Sequence, residues 1–228
     1  VDLEADSMFH FRERVCLIQI SIPGYDYLVD PLAVRDLSSL APLLADPEML
    51  KVLHGAEYDL RVLDRDFGFT FANLFDTMWA SRILGWSAHG LGALLEQHFG
   101  VQLNKKYQRA NWGLRPLPPE QLNYTRLDTH FLLPLYEMQA QELEQTGRWP
   151  QARHRFKKLL AAEHEPKEFD PEGFWRLSGA RKLDDPGRGV LRRLYLYRDQ
   201  QARAQNRPPF KVLSNRILLT LSEQRPGS

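Results

Sequence analysis

Two hydrophobic rhythms run through this chain, and one replaces the other at Gly147. Before Gly147, short apolar runs and period-two alternation are interleaved with helix-length amphipathic stretches. After it, the apolar positions recur only at helical spacing. Strand side chains alternate between faces, whereas helical ones return every three or four residues, so the two stretches call for different architectures. Strands followed by alternating strands and helices predict a layered α/β domain over residues 1–147. Residues 148–165 read as a basic amphipathic connector. Residues 166–228 read as a small all-helical domain, with a boundary at Glu165-Pro166. Charge divides at the same place. Residues 1–147 hold 12 Lys+Arg and 20 Asp+Glu, a balance of −8, and residues 148–228 hold 18 and 9, a balance of +9. The basic half suits a polyanion.

The elements follow from periodicity and punctuation. Strands are expected at Val1–Ala5, Arg14–Ser21 and Tyr25–Val29, with a hairpin at Pro23-Gly24. A helix over Leu37–Leu44 precedes a short buried strand at Met49–Leu53. Tyr58–Asp66, Met78–Leu84 and Leu91–Phe99 are further helices, stopped by Gly68, Gly85 and Gly100. Pro118-Pro119 opens the longest helix, read as one piece from Glu120 to Glu144. In the tail, Phe174-Trp175-Arg176-Leu177, Val190–Asn206 and Ser214–Glu223 are helical. Asp-Asp-Pro-Gly at 184–187 and Arg-Pro-Pro at 207–209 separate them. No run of 18 apolar residues occurs, so no membrane span is expected. Val1 opens directly in strand-like sequence, without a secretory leader. The single Cys16 lies in an apolar run and excludes an internal disulfide. A cytoplasmic address follows.

Three acidic clusters carry the chemistry. In Asp2-Leu3-Glu4 both carboxylates share one strand face and Leu3 takes the other. In His54-Gly55-Ala56-Glu57-Tyr58-Asp59 a buried strand ends and a helix begins, the position where α/β sheets receive ligands. Spacing alone leaves Glu57 and Asp59 as alternative helix-start acids. In Tyr124–Asp128 a phenol and a carboxylate lie one helical turn apart on one face. Each cluster taken alone is compatible with an ordinary surface. Together Asp2, Glu4, Asp59 and Asp128 make an oxygen-ligand set for two Mg²⁺ or Mn²⁺ ions engaged in phosphodiester hydrolysis. Tyr124, with an ordinary pKa near 10, suits orienting a water better than accepting its proton. The seven histidines and one cysteine show no zinc-ligand spacing. His54 reads as a hydrogen-bonded histidine at the strand end, beside nucleic acid and not on a metal.

From Gln97 through Pro119 no acidic residue occurs, while Lys105, Lys106, Arg109 and Arg115 do. With Gln108 and Trp112 interleaved, this segment could line a groove for a nucleic-acid strand, cations on phosphates and an aromatic under a base. The competing reading makes Trp112 a core anchor.

These motifs resemble the DEDDy exonuclease superfamily and, within it, ribonuclease D. The resemblance rests on Val1-Asp2-Leu3-Glu4-Ala5-Asp6-Ser7, on His54 to Leu60, on Leu74-Phe75-Asp76-Thr77 with Ala80 to Gly85, and on Lys106 to Trp112 followed by Tyr124 to Asp128. Asp128-Thr129-His130-Phe131-Leu132-Leu133 is also similar to the catalytic ribonuclease of the eukaryotic nuclear exosome. The tail is similar to an HRDC domain, through Phe174 to Leu177, Arg198-Asp199, Ala202-Arg203 and Arg207 to Leu213, and is expected to stop short at Ser228. The resemblance implies an RNase H-like α/β fold with a mixed sheet. It implies 3′-to-5′ trimming of RNA, such as tRNA or another stable RNA, with release of 5′-mononucleotides. It puts Asp2, Glu4 and Asp128 on one metal, with Asp2 bridging to a second that Asp59 holds. A helical HRDC domain implies nucleic-acid binding of modest specificity. Asn111 stands where the family pattern has Asp. Family members also have residues before the position of Asp2, so a trimmed chain is expected. The expected protein is a monomer that binds single-stranded RNA 3′ ends and needs no organic cofactor. A DNA exonuclease of the same superfamily, or a non-catalytic nucleic-acid-binding protein, are the alternatives.

Overall fold

A computed structural model describes residues 1–162 and 169–226. The chain divides into two compact units, Val1–Asp6 with Arg14–Glu165, and Ser7–Glu13 with Pro166–Ser228. The expected boundary at Glu165-Pro166 lies outside the described residues. Residues 7–13, expected within the first domain, group with the second unit.

The first unit is a mixed α/β layer. Strands β1 (Asp2–Ala5), β2 (Val15–Ile22) and β3 (Tyr25–Val29) form an antiparallel sheet in the order β1-β2-β3. Strands β4 (Lys51–Leu53) and β5 (Leu74–Asp76) form a parallel pair, and a hydrogen bond of 2.7 Å from the Val1 nitrogen to the Val52 carbonyl runs from the first sheet to the second. Strand β5 is an addition to the expected elements. It has three residues, too few to display a period, and the sequence pattern merges it with the helix that follows. Helices α1 (Leu40–Ala45) and α2 (Glu57–Phe67) contribute to one core with Leu3, Val15 and Ile18. Helices α3 (Thr77–Leu84) and α4 (Leu91–Phe99) follow.

The expected helix from Glu120 to Glu144 is two helices, α5 (Pro119–His130) and α6 (Leu132–Gln145), broken at Phe131. Pro134 explains the break. It has no N–H to give the His130 carbonyl and its ring crowds that group, whereas a proline is tolerated in the first turn of a new helix. The expected connector, α7 (Trp149–Leu160), is a core helix of the first unit. Its Ala152 and Phe156 pack with Phe75, Ala80 and Leu143.

The second unit is helical, with α8 (Asp185–Ala204), α9 (Pro209–Val212) and α10 (Asn215–Gln224). Phe174, Ala180, Leu191 and Leu218 form its core. The Asp-Asp-Pro-Gly stretch expected to separate helices instead starts α8. The Asp184 side chain accepts from the Gly187 N–H at 2.9 Å, and Pro186 sits in the first turn, where it is tolerated. Within this unit the Phe11 N–H donates to Asn206 Oδ1 at 3.2 Å, and the Lys211 ammonium lies 4.0 Å from the centre of the Phe9 ring. Among the described residues no helix is long and apolar enough to cross a membrane.

Candidate active site

Strand alternation does what the sequence requires of it. Leu3 is buried in the core. Asp2 and Glu4 therefore occupy the opposite face of β1, across from Gln19 and Leu17 of β2. Helix α5 packs on β2 and buries Tyr124, Thr125, Asp128 and Thr129, the positions one turn apart on its inner face. One carboxylate oxygen from each of Asp2, Glu4 and Asp128 lies within 4.8 Å of the other two. Asp59, buried in the first turn of α2, interacts with Asp2 and Glu4 but stands outside this group of three. The four acids expected to converge are thus three and a neighbour. Glu57, the other candidate for the helix start, is exposed.

Burial raises every member, and repulsion from neighbouring acids adds to the rise at Glu4, Asp59 and Asp128. Burial, with Asp2, Asp128 and Asp59 adding to it, pushes the Glu4 carboxyl up to about 10. Asp128 is pushed up to about 8, first by burial and then by Asp2. Asp2 rises to about 6 through burial, and Asp59 goes well above its ordinary value through burial and the Asp2 charge. No Lys or Arg side chain pairs with Asp2, Glu4 or Asp128 among the described residues. Carboxylates crowded this way resist joint ionisation unless a cation joins them, and three hard oxygen donors fit Mg²⁺ or Mn²⁺. The Tyr124 hydroxyl hydrogen-bonds to Asp128, which pulls that acid back toward ionisation. Burial drives the phenol further above its ordinary range, and Asp128, Glu4 and Asp2 add to the rise. It therefore keeps its proton at neutral pH.

A family model described as 3′-5′ exonuclease matches residues 1–144. The chain belongs to that family. A second model, described as HRDC domain, matches residues 187–228 of this exonuclease-family chain. Exosome complex component 10 of Rattus norvegicus is 36% identical over 238 residues, which are 99% of this chain and 26% of the relative. The chain therefore spans about a quarter of the length of that curated relative. The catalytic core of RRP6 from Trypanosoma brucei superposes with a TM-score of 0.89 at 33% identity, covering 100% of this chain and 64% of that one. RNase D of Escherichia coli gives 0.73 at 29% identity, covering 100% and 60%. The resemblance to the DEDDy exonucleases and to HRDC, read from the motifs, holds.

The remaining expected contacts of this exonuclease domain divide in two. Lys105, Lys106, Gln108 and Arg109 are exposed on a 3-10 turn, Lys105–Arg109. Tyr107 of the same turn packs with its ring centre 5.7 Å from that of Tyr124. A cleft of about 430 Å³, lined by Asn104, Tyr107, Asn123, Tyr124 and Leu127 among others, opens there. Trp112 and Arg115 require correction. Trp112 is 1% exposed, packed with Cys16 and Tyr124, and offers no free face to a base. Arg115 spends all five N–H groups inside the unit. Nε and Nη2 grip Asp30 at 2.6 and 2.7 Å, and the others go to the Cys16, Trp112 and Leu114 carbonyls. Nothing is left for a phosphate.

His54 turns its Nδ1 to Thr77 Oγ1 at 2.8 Å, and burial lowers its pKa to about 4, so it is neutral at pH 7. Asn111 accepts the Gly113 N–H at 3.2 Å and so closes a local turn. Asp76 has a task that the motif around it does not announce. It caps α3 and also accepts the N–H groups of Gly55 and Ala56, the turn that carries Asp59. An acid ending a short strand immediately before a helix was the available signal.

Proposed function

We propose that this chain hydrolyses RNA from its 3′ end, one nucleotide at a time, releasing 5′-nucleoside monophosphates. The observation that carries the reading is the convergence of half-buried Asp2 and Glu4 with buried Asp128, their oxygens within 4.8 Å of one another. These three would hold one divalent cation, Mg²⁺ or Mn²⁺ by donor chemistry, and Asp59 with Asp2 would hold a second. Bound there, the cations supply Lewis-acid stabilisation of the phosphoryl oxygens and lower the pKa of a water. Tyr124, whose O–H is given to Asp128, would orient that water by accepting from it at the phenol oxygen. Lys105, Lys106 and Arg109 contact backbone phosphates, which carry no sequence information, so trimming depends little on base identity. The cleft beside Tyr124 falls within the size range of small-ligand pockets, and we assign it to the terminal nucleotide.

RNA is favoured because the similar E. coli structure is of an exoribonuclease involved in structured RNA processing. Stable RNAs such as tRNA precursors are the proposed substrates. Residues 166–228 hold 13 Lys+Arg against 7 Asp+Glu and would add a second contact to the strand. Exosome complex component 10 is named for an assembly, so the expected monomer is not kept. The test is digestion of 5′-labelled RNA with Mg²⁺, Mn²⁺ or EDTA. A ladder of products shortened stepwise from the 3′ end, abolished by EDTA, is expected. Internal cuts, or equal digestion in EDTA, would overturn the proposal, and a matched DNA strand reads the sugar preference.

A further inference from the structure

Gln19 of β2 has chemistry that the proposed site leaves unused. It is wholly buried, and neither Oε1 nor Nε2 of its side chain has a hydrogen-bond partner. A buried amide left unpaired is costly, so such a group in a well-packed layer points to a missing partner.

Its position names that partner. In the β1–β2 ladder Gln19 is directly opposite Asp2. Opposed residues of an antiparallel pair share a face, with Cβ atoms about 4.5–5.5 Å apart. Two residues further along β2, on the same face, Ser21 Oγ meets Thr129 Oγ1 of α5 at 2.7 Å. Gln19 therefore lies between the strand that carries Asp2 and the helix that carries Asp128. A purely structural glutamine here would be expected to grip α5 as Ser21 does, and it does not.

We propose that Gln19 is a positioning residue for the metal carboxylates, its side-chain N–H fixing the Asp2 carboxylate when that group is a ligand. This rests on the metal-site reading above. A ligating carboxylate keeps lone pairs that the ion does not use, and an amide donor on them holds the oxygen at its working angle. Gln19 does not touch the substrate in this role. It acts through Asp2.

Gln19→Met keeps length and volume but removes both polar atoms. Mn²⁺ binding, followed by the electron paramagnetic resonance of the free ion, is measured for the parent and the variant, with melting temperature recorded in EDTA. Losing an outer contact of this kind typically weakens metal affinity about 10–100-fold. That loss is expected while the EDTA melting temperature stays level or rises, because an orphan amide has been replaced by an apolar chain. A merely structural role predicts the reverse, a lower melting temperature with unchanged Mn²⁺ affinity, and that result overturns the proposal. Should the Met variant not fold, Gln19→Asn, which withdraws the amide by one methylene, is read by the same affinity criterion. A parent protein that binds no Mn²⁺ would overturn the metal-site reading itself, whereas equal binding by parent and variant overturns only the role of Gln19.

Discussion

Buried acids occur in two regions of the first unit, in opposite circumstances. At the corner where β4 enters α2 and β5 enters α3, Asp76 is fully buried, yet its oxygens accept from Gly55, Ala56, Met78 and Trp79 N–H groups at 2.8–3.1 Å. On the face between β1 and α5, Asp2, Glu4 and Asp128 have one another. The first carboxylate is satisfied by backbone donors and ties two turns together. Gly55 completes that turn, because its φ of +73° is one that a side chain would strain. The second group is held apart electrostatically by the same burial that holds the fold together. A region with its lone pairs filled serves stability, and one crowded with like charge awaits a cation.

Removing one acid from each region should separate the two roles. Asp128→Asn is expected to reduce exonuclease turnover the most, by about 10³-fold, the equivalent of several kcal/mol of lost transition-state stabilisation. Its metal-free melting temperature should hold or rise, since repulsion is relieved. Turnover within tenfold of the parent would break the comparison. Tyr124→Phe comes next, with a fall of about 10²-fold, the low end for a positioned proton-bearing group. Melting temperature should change little, because the ring keeps its packing on Trp112 and Tyr107, and metal affinity should fall far less than turnover, through the lost hydroxyl on Asp128 alone. A Phe variant as fast as the parent ends the orienting role.

Asp76→Ala should act on stability instead. It strips the α3 cap and leaves the Ala56 N–H without its partner, a cost of about 2–4 kcal/mol in chemical denaturation. Loss of activity should follow unfolding and be recovered on cooling. A variant as stable as the parent would show that Asp76 is not the clamp.

Both regions were written in the sequence, though not equally legibly. Asp2 with Glu4, and Tyr124 with Asp128, are set by the two fixed periods of regular backbone, so their shared faces could be read without coordinates. Asp59 was read as a candidate, but its distance from the cluster depends on how α2 packs, which no local pattern encodes. Of the two readings open for Trp112 the core anchor holds, and Arg115 was not legible because residue type does not report tertiary partners. Arg115 is neutralised by Asp30, 85 residues away, and the burial of Trp112 depends on Cys16. The grouping of Ser7–Glu13 with the second unit, through contacts such as Phe11 with Asn206, is likewise long-range. The break before Pro134 is masked in the sequence because the apolar spacing continues on both sides of it.

Acidity sharpens the comparison further. A carboxyl whose folded pKa lies above its unfolded value binds its proton more tightly when folded. Its contribution to stability is therefore present at low pH and lost as pH rises through the folded value. With Asp2 raised to about 6, Asp128 to about 8 and Glu4 to about 10, the EDTA-treated protein should melt at progressively lower temperature from pH 5 to 9. Metal binding must displace those protons, so stabilisation by Mn²⁺ should grow over the same range. Melting curves with and without Mn²⁺ check both trends. A gap that stays constant or narrows with pH would mean that the acids are not the ligands.

The smallest expected effect belongs to the basic segment, where two cations nine residues apart should behave as differently as the two acidic regions. Lys106 is exposed, its ammonium 4.9 Å from the centre of the Tyr107 ring that packs against Tyr124. Arg115 is bound on all sides by Asp30 and three carbonyls. Neutralising a phosphate releases its counterions, which for single strands contributes a slope of about −0.7 per contact in log affinity against log salt. Lys106→Ala should therefore weaken RNA binding at low salt, make the slope shallower by about 0.7, and leave the melting temperature alone. Arg115→Ala should do the converse. The slope stays, because no phosphate contact is lost, while stability falls as Asp30 loses its bidentate partner and three carbonyls lose a donor. Fluorescence anisotropy with a labelled single strand across a salt series, beside thermal melts, reads both quantities in both variants. An Arg115→Ala protein that melts like the parent but binds with a shallower slope would return that guanidinium to the RNA interface.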